Sequence, residues 1–81
     1  MPSYFKQCLE RHYNNYLFTS GMFPYNSRKQ AQLYASALKE VDRLVDEFDA
    51  FGYKPYAELS FYSKRYKRNI TKFYYSQQVY A

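Results

Sequence analysis

"PYAELSFYSKRYKRNITKFYYSQ", residues 55–77, is the stretch whose conformation decides the fold. Tyr56, Leu59, Tyr62, Tyr66, Ile70 and Phe73 recur at the spacing of a helix begun near Pro55, yet Leu59 and Phe61, then Thr71, Phe73 and Tyr75, alternate as strands would. Periodicity alone does not decide between them. Tyr, Phe, Ile and Thr favour strands, and "KRYKRN" (64–69) offers a hairpin loop, although it lacks the Gly usual in a tight turn. The helix, spanning roughly residues 55–77, is preferred because it closes a bundle with short connections. The expected fold is therefore all-α, a compact three-helix bundle. The alternative is α+β, two helices followed by a C-terminal β-hairpin that would need the helices for support.

The two preceding helices are read more directly. Ser3 suits an N-cap, and Phe5, Cys8, Leu9, His12, Tyr13, Tyr16 and Leu17 then follow at helical spacing, predicting a first helix from Tyr4 to Phe18. Gly21 is expected to supply a left-handed stop, and Pro24 in "GMFPYNS" (21–27) bars further helix. Asn26 or Ser27 opens the next element, and Ser27 with Gln30 fits the capping box, in which each side chain satisfies the other's backbone donor. Tyr34, Leu38, Val41, Val45 and Phe48 step by four and three, with Ala37, Leu44 and Phe51 widening the stripe. This predicts a second helix from Arg28 to Phe51, ended by Gly52.

A chain of 81 residues makes one small domain, one that buries only about 60 to 65 percent of the surface its unfolded chain exposes. The lone Cys8 closes no internal disulfide, the N-terminus shows no apolar signal region, and no run approaches the length of a membrane span. These features point to a soluble, cytoplasmic protein of a reducing compartment, with no membrane partner.

Two departures from average composition are the 12 Tyr and 7 Phe, and a formal net charge of +5. Up to Glu58, the basic residues Lys6, Arg11, Arg28, Lys29, Lys39, Arg43 and Lys54 are cancelled by Glu10, Glu40, Asp42, Asp46, Glu47, Asp49 and Glu58. The whole excess therefore lies beyond residue 58, in Lys64, Arg65, Lys67, Arg68 and Lys72.

Wound as a helix at about 100° per residue, the last segment places Lys64, Arg65, Arg68 and Lys72 on one face with Phe61 and Tyr75. Leu59, Tyr62, Tyr66, Ile70 and Phe73 occupy the other. Cations neutralise phosphates and release counterions, and aromatic faces stack on unpaired bases. Phe61, Tyr66 or Tyr75 would supply that stacking. Against this stands the plainer reading that the cations only keep an aromatic protein in solution; their clustering in a single sign favours a function. No RNP, zinc-finger or OB signature accompanies them.

Asp42, Asp46 and Asp49 line one side of the second helix near its C-terminus, where acids oppose the helix dipole. They either face the cations of the last segment or form a separate contact for a basic partner. A carboxylate metal site lacks a nearby His and enough convergent oxygens, so no metal and no cofactor is expected. Cys8 and His12 share a helix face, but a nucleophilic thiol needs a base, an orienting group and an oxyanion site, and both residues read as core packing.

Tyr25, Tyr53, Tyr75 and Tyr80 fall in connections, on the polar face or at the tail, where exposed tyrosine suits a protein interface. The composite expectation is a non-enzymatic binding protein, an accessory factor engaging nucleic acid or a nucleoprotein complex through residues 61–75. The alternative is an inhibitor or adaptor, of the kind a phage or plasmid carries, that docks on an acidic protein partner through the tyrosines and the basic patch. A structural homodimer is the third reading.

Overall fold

The computed structural model describes residues 3–78 and consists of three helices, α1 (Tyr4–Gly21), α2 (Ser27–Ala50) and α3 (Ala57–Gln78), joined by short turns. Each helix packs on both others, giving an all-α bundle of 42 × 19 × 16 Å. Residues 57–78 are helical throughout, so the hairpin alternative is not formed. "KRYKRN" lacks the Gly usual in a tight two-residue turn, and a helix lets Leu59, Tyr66 and Ile70 be buried together against α1 and α2.

α1 begins as expected, with the Ser3 Oγ accepting a hydrogen bond from the Lys6 backbone N–H at 3.2 Å. It buries Phe5, Leu9, Tyr16 and Ser20 and runs one turn beyond the expected end at Phe18. Gly21 is not a left-handed stop: it is the last helical residue, and Met22 after it has φ −79°. The end is held by other means. The buried Gln30 of α2 donates from Nε2 to the carbonyls of Ser20 and Phe23, both at 2.7 Å, while the Ser20 hydroxyl donates to Gln30 Oε1. Both amide protons and the amide oxygen of Gln30 are thereby used, as burial requires. The expected capping box is consequently not formed. Gln30 turns back to the α1 end, and Asn26 caps α2 through Oδ1, which accepts from the Lys29 N–H at 2.9 Å.

α2 ends where Gly52 predicts. Gly52 has φ 73°, its N–H donates to the Asp49 carbonyl at 3.0 Å, and the Tyr53 N–H donates to the Phe48 carbonyl at 3.0 Å. This paired closure is the Schellman motif, and its usual hydrophobic contact is present, with the Tyr53 and Phe48 rings 5.1 Å apart edge to face. Phe48 also meets Phe5 at 5.0 Å, and the Tyr53 hydroxyl lies 3.0 Å from Ser3 Oγ. One glycine turn therefore joins the end of α2 to the start of α1. Phe51, expected to widen the apolar stripe, lies instead at the α2 C-cap and is exposed.

The two glycines predict opposite responses. Ala at either position meets no atom within 4 Å, so only backbone conformation decides. Gly52→Ala should destabilise the fold by about 1–2 kcal/mol because of its positive φ, whereas Gly21→Ala should stabilise it by roughly 0.5 kcal/mol. Urea unfolding of both variants checks the pair, and a loss at Gly21 equal to that at Gly52 would contradict the assignment.

Candidate nucleic-acid interface

α3 positions the site by burying its opposite side. Leu59, Tyr66 and Ile70 lie in the core, with Tyr66 edge-on to Tyr13 of α1 at 6.0 Å and Phe73 edge-on to Tyr16 at 5.6 Å. On the α2 side, Tyr74 stacks parallel on Tyr34 at 4.2 Å, and the Tyr34 hydroxyl is 3.0 Å from Thr71 Oγ1. With both flanks engaged, the remaining arc of about 100° faces outward. It carries Phe61, Lys64, Arg65, Arg68, Lys72 and Tyr75, all exposed.

The four cations on this arc make no ion pair among the described residues. At 1.5 Å rise per residue they span about 12 Å of helix, and Phe61 and Tyr75 bracket them at positions about 21 Å apart along the helix axis. Phe61 and Tyr75 are 60% and 59% exposed. Beside Phe61 the small residues Ala57 and Ser60 leave a shallow trough of about 580 Å³, whose other walls are Lys64, Arg65 and Arg68.

Two residues expected at this site, Tyr66 and Lys67, and one expected at a protein interface, Tyr53, are placed elsewhere. Tyr66 is only 6% exposed and belongs to the core, so it has no free face for stacking. Its phenol is held above the ordinary tyrosine range by burial, reinforced by Glu10 and opposed by Arg65. Lys67 projects toward α2 and pairs with Asp42, off the outward arc. Tyr53, expected on an exposed connection, is half-buried in the Phe5–Phe48 cluster and bonded to Ser3.

The other candidates divide as follows. Tyr25 is 98% exposed at the α1–α2 turn. Tyr80 lies outside the described residues. Asp46 and Asp49 are exposed without an ion pair among the described residues, while Asp42 alone of the three reaches α3. Glu40 and Glu47 are gathered by Arg43 at 2.7 and 2.6 Å. Hydrogen bonding from Arg43 holds the Glu40 carboxyl below its usual range, and its two carboxylate partners hold the Arg43 guanidinium charged.

A second depression, about 300 Å³, lies between α1 and α2 and is lined by His12, Asn15, Thr19, Ser36 and Glu40. Its chemistry is already engaged: His12 Nε2 donates to the Ala37 carbonyl at 2.9 Å, and Glu40 is tied to Arg43. Cys8 is half-buried, and no three His, Cys, Asp or Glu side chains converge among the described residues. No helix among them is long and apolar enough to cross a membrane.

The trough beside Phe61 is the feature that sequence reading missed. Its signal was the pair of small residues one turn and one residue before an exposed aromatic, invisible until α3 is known to be helical. Comparison of the chain with protein-family models, curated proteins and solved structures gave no match.

Tyr16, which lines the depression between α1 and α2 and packs on Phe73, makes the pH behaviour of the fold specific. Its hydroxyl is buried without a hydrogen-bond partner among the described residues, and burial, with Tyr34, Tyr74 and Tyr13 nearby, pushes its pKa up to about 12. A raised folded pKa means that the unfolded chain loses this proton first. The stabilisation is thus complete below pH 10 and is lost as pH rises toward 12. Tyr16→Phe removes both the orphaned hydroxyl and the titration, so it should raise stability near neutral pH by about 1 kcal/mol and flatten the alkaline loss. Thermal melts between pH 7 and 11 check this, and a destabilised variant with an unchanged alkaline slope would refute it.

Proposed function

We propose that the protein is a non-catalytic binding factor that engages nucleic acid, free or within a nucleoprotein complex, through the outward face of α3. The observation that supports this reading is the exposed, acid-free arc of Lys64, Arg65, Arg68 and Lys72 between two exposed aromatic rings. Lysine and arginine on such an arc displace condensed counterions from phosphates, a driving force that needs no base sequence. Three acids of α2 are engaged away from the arc: Asp42 meets Lys67 beside it, and Glu40 and Glu47 are held by Arg43.

A second reading is favoured by one specific observation, the exposure of Tyr25 at 98% and Phe51 at 85%. Exposed aromatics are typical anchors of protein interfaces, so the chain would act as an inhibitor or adaptor on an acidic protein. On that reading, Tyr25→Ala should weaken the acidic protein's binding at least tenfold while leaving nucleic-acid affinity unchanged, as measured by titration calorimetry. An unaltered protein affinity would remove Tyr25 from the interface.

The first reading is tested by Arg65→Glu/Arg68→Glu. Loss of two phosphate contacts should lower affinity for a labelled oligonucleotide and reduce the slope of log K against log salt by about 1.4 to 1.8. Anisotropy titrations at several salt concentrations give both quantities; unchanged affinity and slope would reject this face.

A further inference from the structure

We infer that the ligand of this face is single-stranded nucleic acid, with one unpaired base stacked on Phe61 in the trough above Ala57 and Ser60. This rests on the proposed function and specifies its substrate class. Four cations alone would serve any polyphosphate backbone, duplex or single strand. What separates the two is the aromatic ring and the space beside it.

Phe61 is an exposed residue of α3 whose ring has a built position. It stands edge to face with Tyr62 at 5.0 Å, and the half-buried Tyr62 has the Lys6 ammonium over its own ring at 6.0 Å. The Phe61 ring is thus braced from one side and remains 60% exposed. On the helix, Ala57 sits one turn before it and Ser60 immediately before it, so the surface falls away there. The resulting trough, lined by α3 alone, has a volume of about 580 Å³.

The other walls of the trough set the chemistry of the occupant. Lys64, Arg65 and Arg68 bring three positive groups to its rim, and no carboxylate lines it. A flat aromatic group against Phe61 with anionic groups toward the cations describes a nucleotide within a strand. In a duplex, base faces are already stacked and only base edges reach a groove, so a duplex would leave both the Phe61 face and the trough unfilled. An unpaired base presents its face, and stacking on an aromatic side chain is tolerant of base identity. RNA and DNA strands share this chemistry.

The experiment uses the full chain and labelled ten-nucleotide probes: oligo(dT), oligo(U), an abasic deoxyribose-phosphate decamer of equal charge, and a duplex. Wild type should bind the base-containing strands roughly 5- to 150-fold more tightly than the abasic strand, the range for one stacked base. Phe61→Ala should erase that preference while leaving abasic affinity and salt slope unchanged, and Phe61→Tyr should retain it. The tighter of oligo(dT) and oligo(U) identifies the source of the strand. Equal binding of wild type to base-containing, abasic and duplex probes would overturn the stacking site and leave the cationic face standing. A Phe61→Ala variant weakened equally on all probes would overturn it as well. Failure of wild type to bind any probe would overturn the proposed function itself.

Discussion

Burial of Leu59, Tyr66 and Ile70 between α1 and α2 is the constraint on which the rest of the molecule depends. These side chains occupy one side of α3, and fully burying a residue of this kind is worth about 1.5–3 kcal/mol. Turning α3 by a quarter would withdraw them and carry Lys64 or Arg65 toward the core, where an unpaired charge costs far more than the apolar contacts return. The helix therefore has one acceptable rotation. That rotation sends every cation of α3 except Lys67 to the outward arc.

The abundance of tyrosine follows from the same packing. In a narrow bundle few positions are far from solvent, and tyrosine fills the boundary by burying its ring while its hydroxyl reaches a partner or water. Tyr53 reaches Ser3, Tyr34 reaches Thr71, and the rings of Tyr13 and Tyr74 pack against neighbouring helices. Tyr16 is the exception, its hydroxyl enclosed without a partner among the described residues. A second population stands largely in solvent: Tyr25 and Phe51 at the turns, and Phe61 and Tyr75 on α3, each of the latter two with one side against a neighbouring tyrosine.

Ion pairs shape the field of the protein more than they hold it together. Exposed pairs such as Arg43 with Glu40 and Glu47 contribute about 0–1 kcal/mol each, little beside the aromatic core. Their effect is spatial: they gather negative charge on α2 and leave the α3 arc uniformly positive. The acids that oppose the α2 dipole are thus offset partly by Arg43 within the helix and at Asp42 by Lys67.

Much of this was legible in the residues alone. The Ser3 cap, the Gly52 stop, the apolar stripe of α2 and the location of the net charge are local or compositional properties, so the sequence determined the first two helices and a basic last segment, while residues 55–77 fitted a helix and a hairpin alike. Local patterns misled where a side chain had a more distant partner. Gln30 left the expected capping box because the Ser20 and Phe23 carbonyls needed donors, and Tyr53 left the expected surface because the Gly52 turn laid it on Phe48. Helical spacing divides α3 into two faces, but which residues at the seam are enclosed depends on where α1 and α2 lie. Helical spacing already set Tyr66 opposite the cations, but only the tertiary structure could draw Lys67 to Asp42 and leave Phe61 beside an open trough, because burial is a property of neighbours that the chain brings together only by folding.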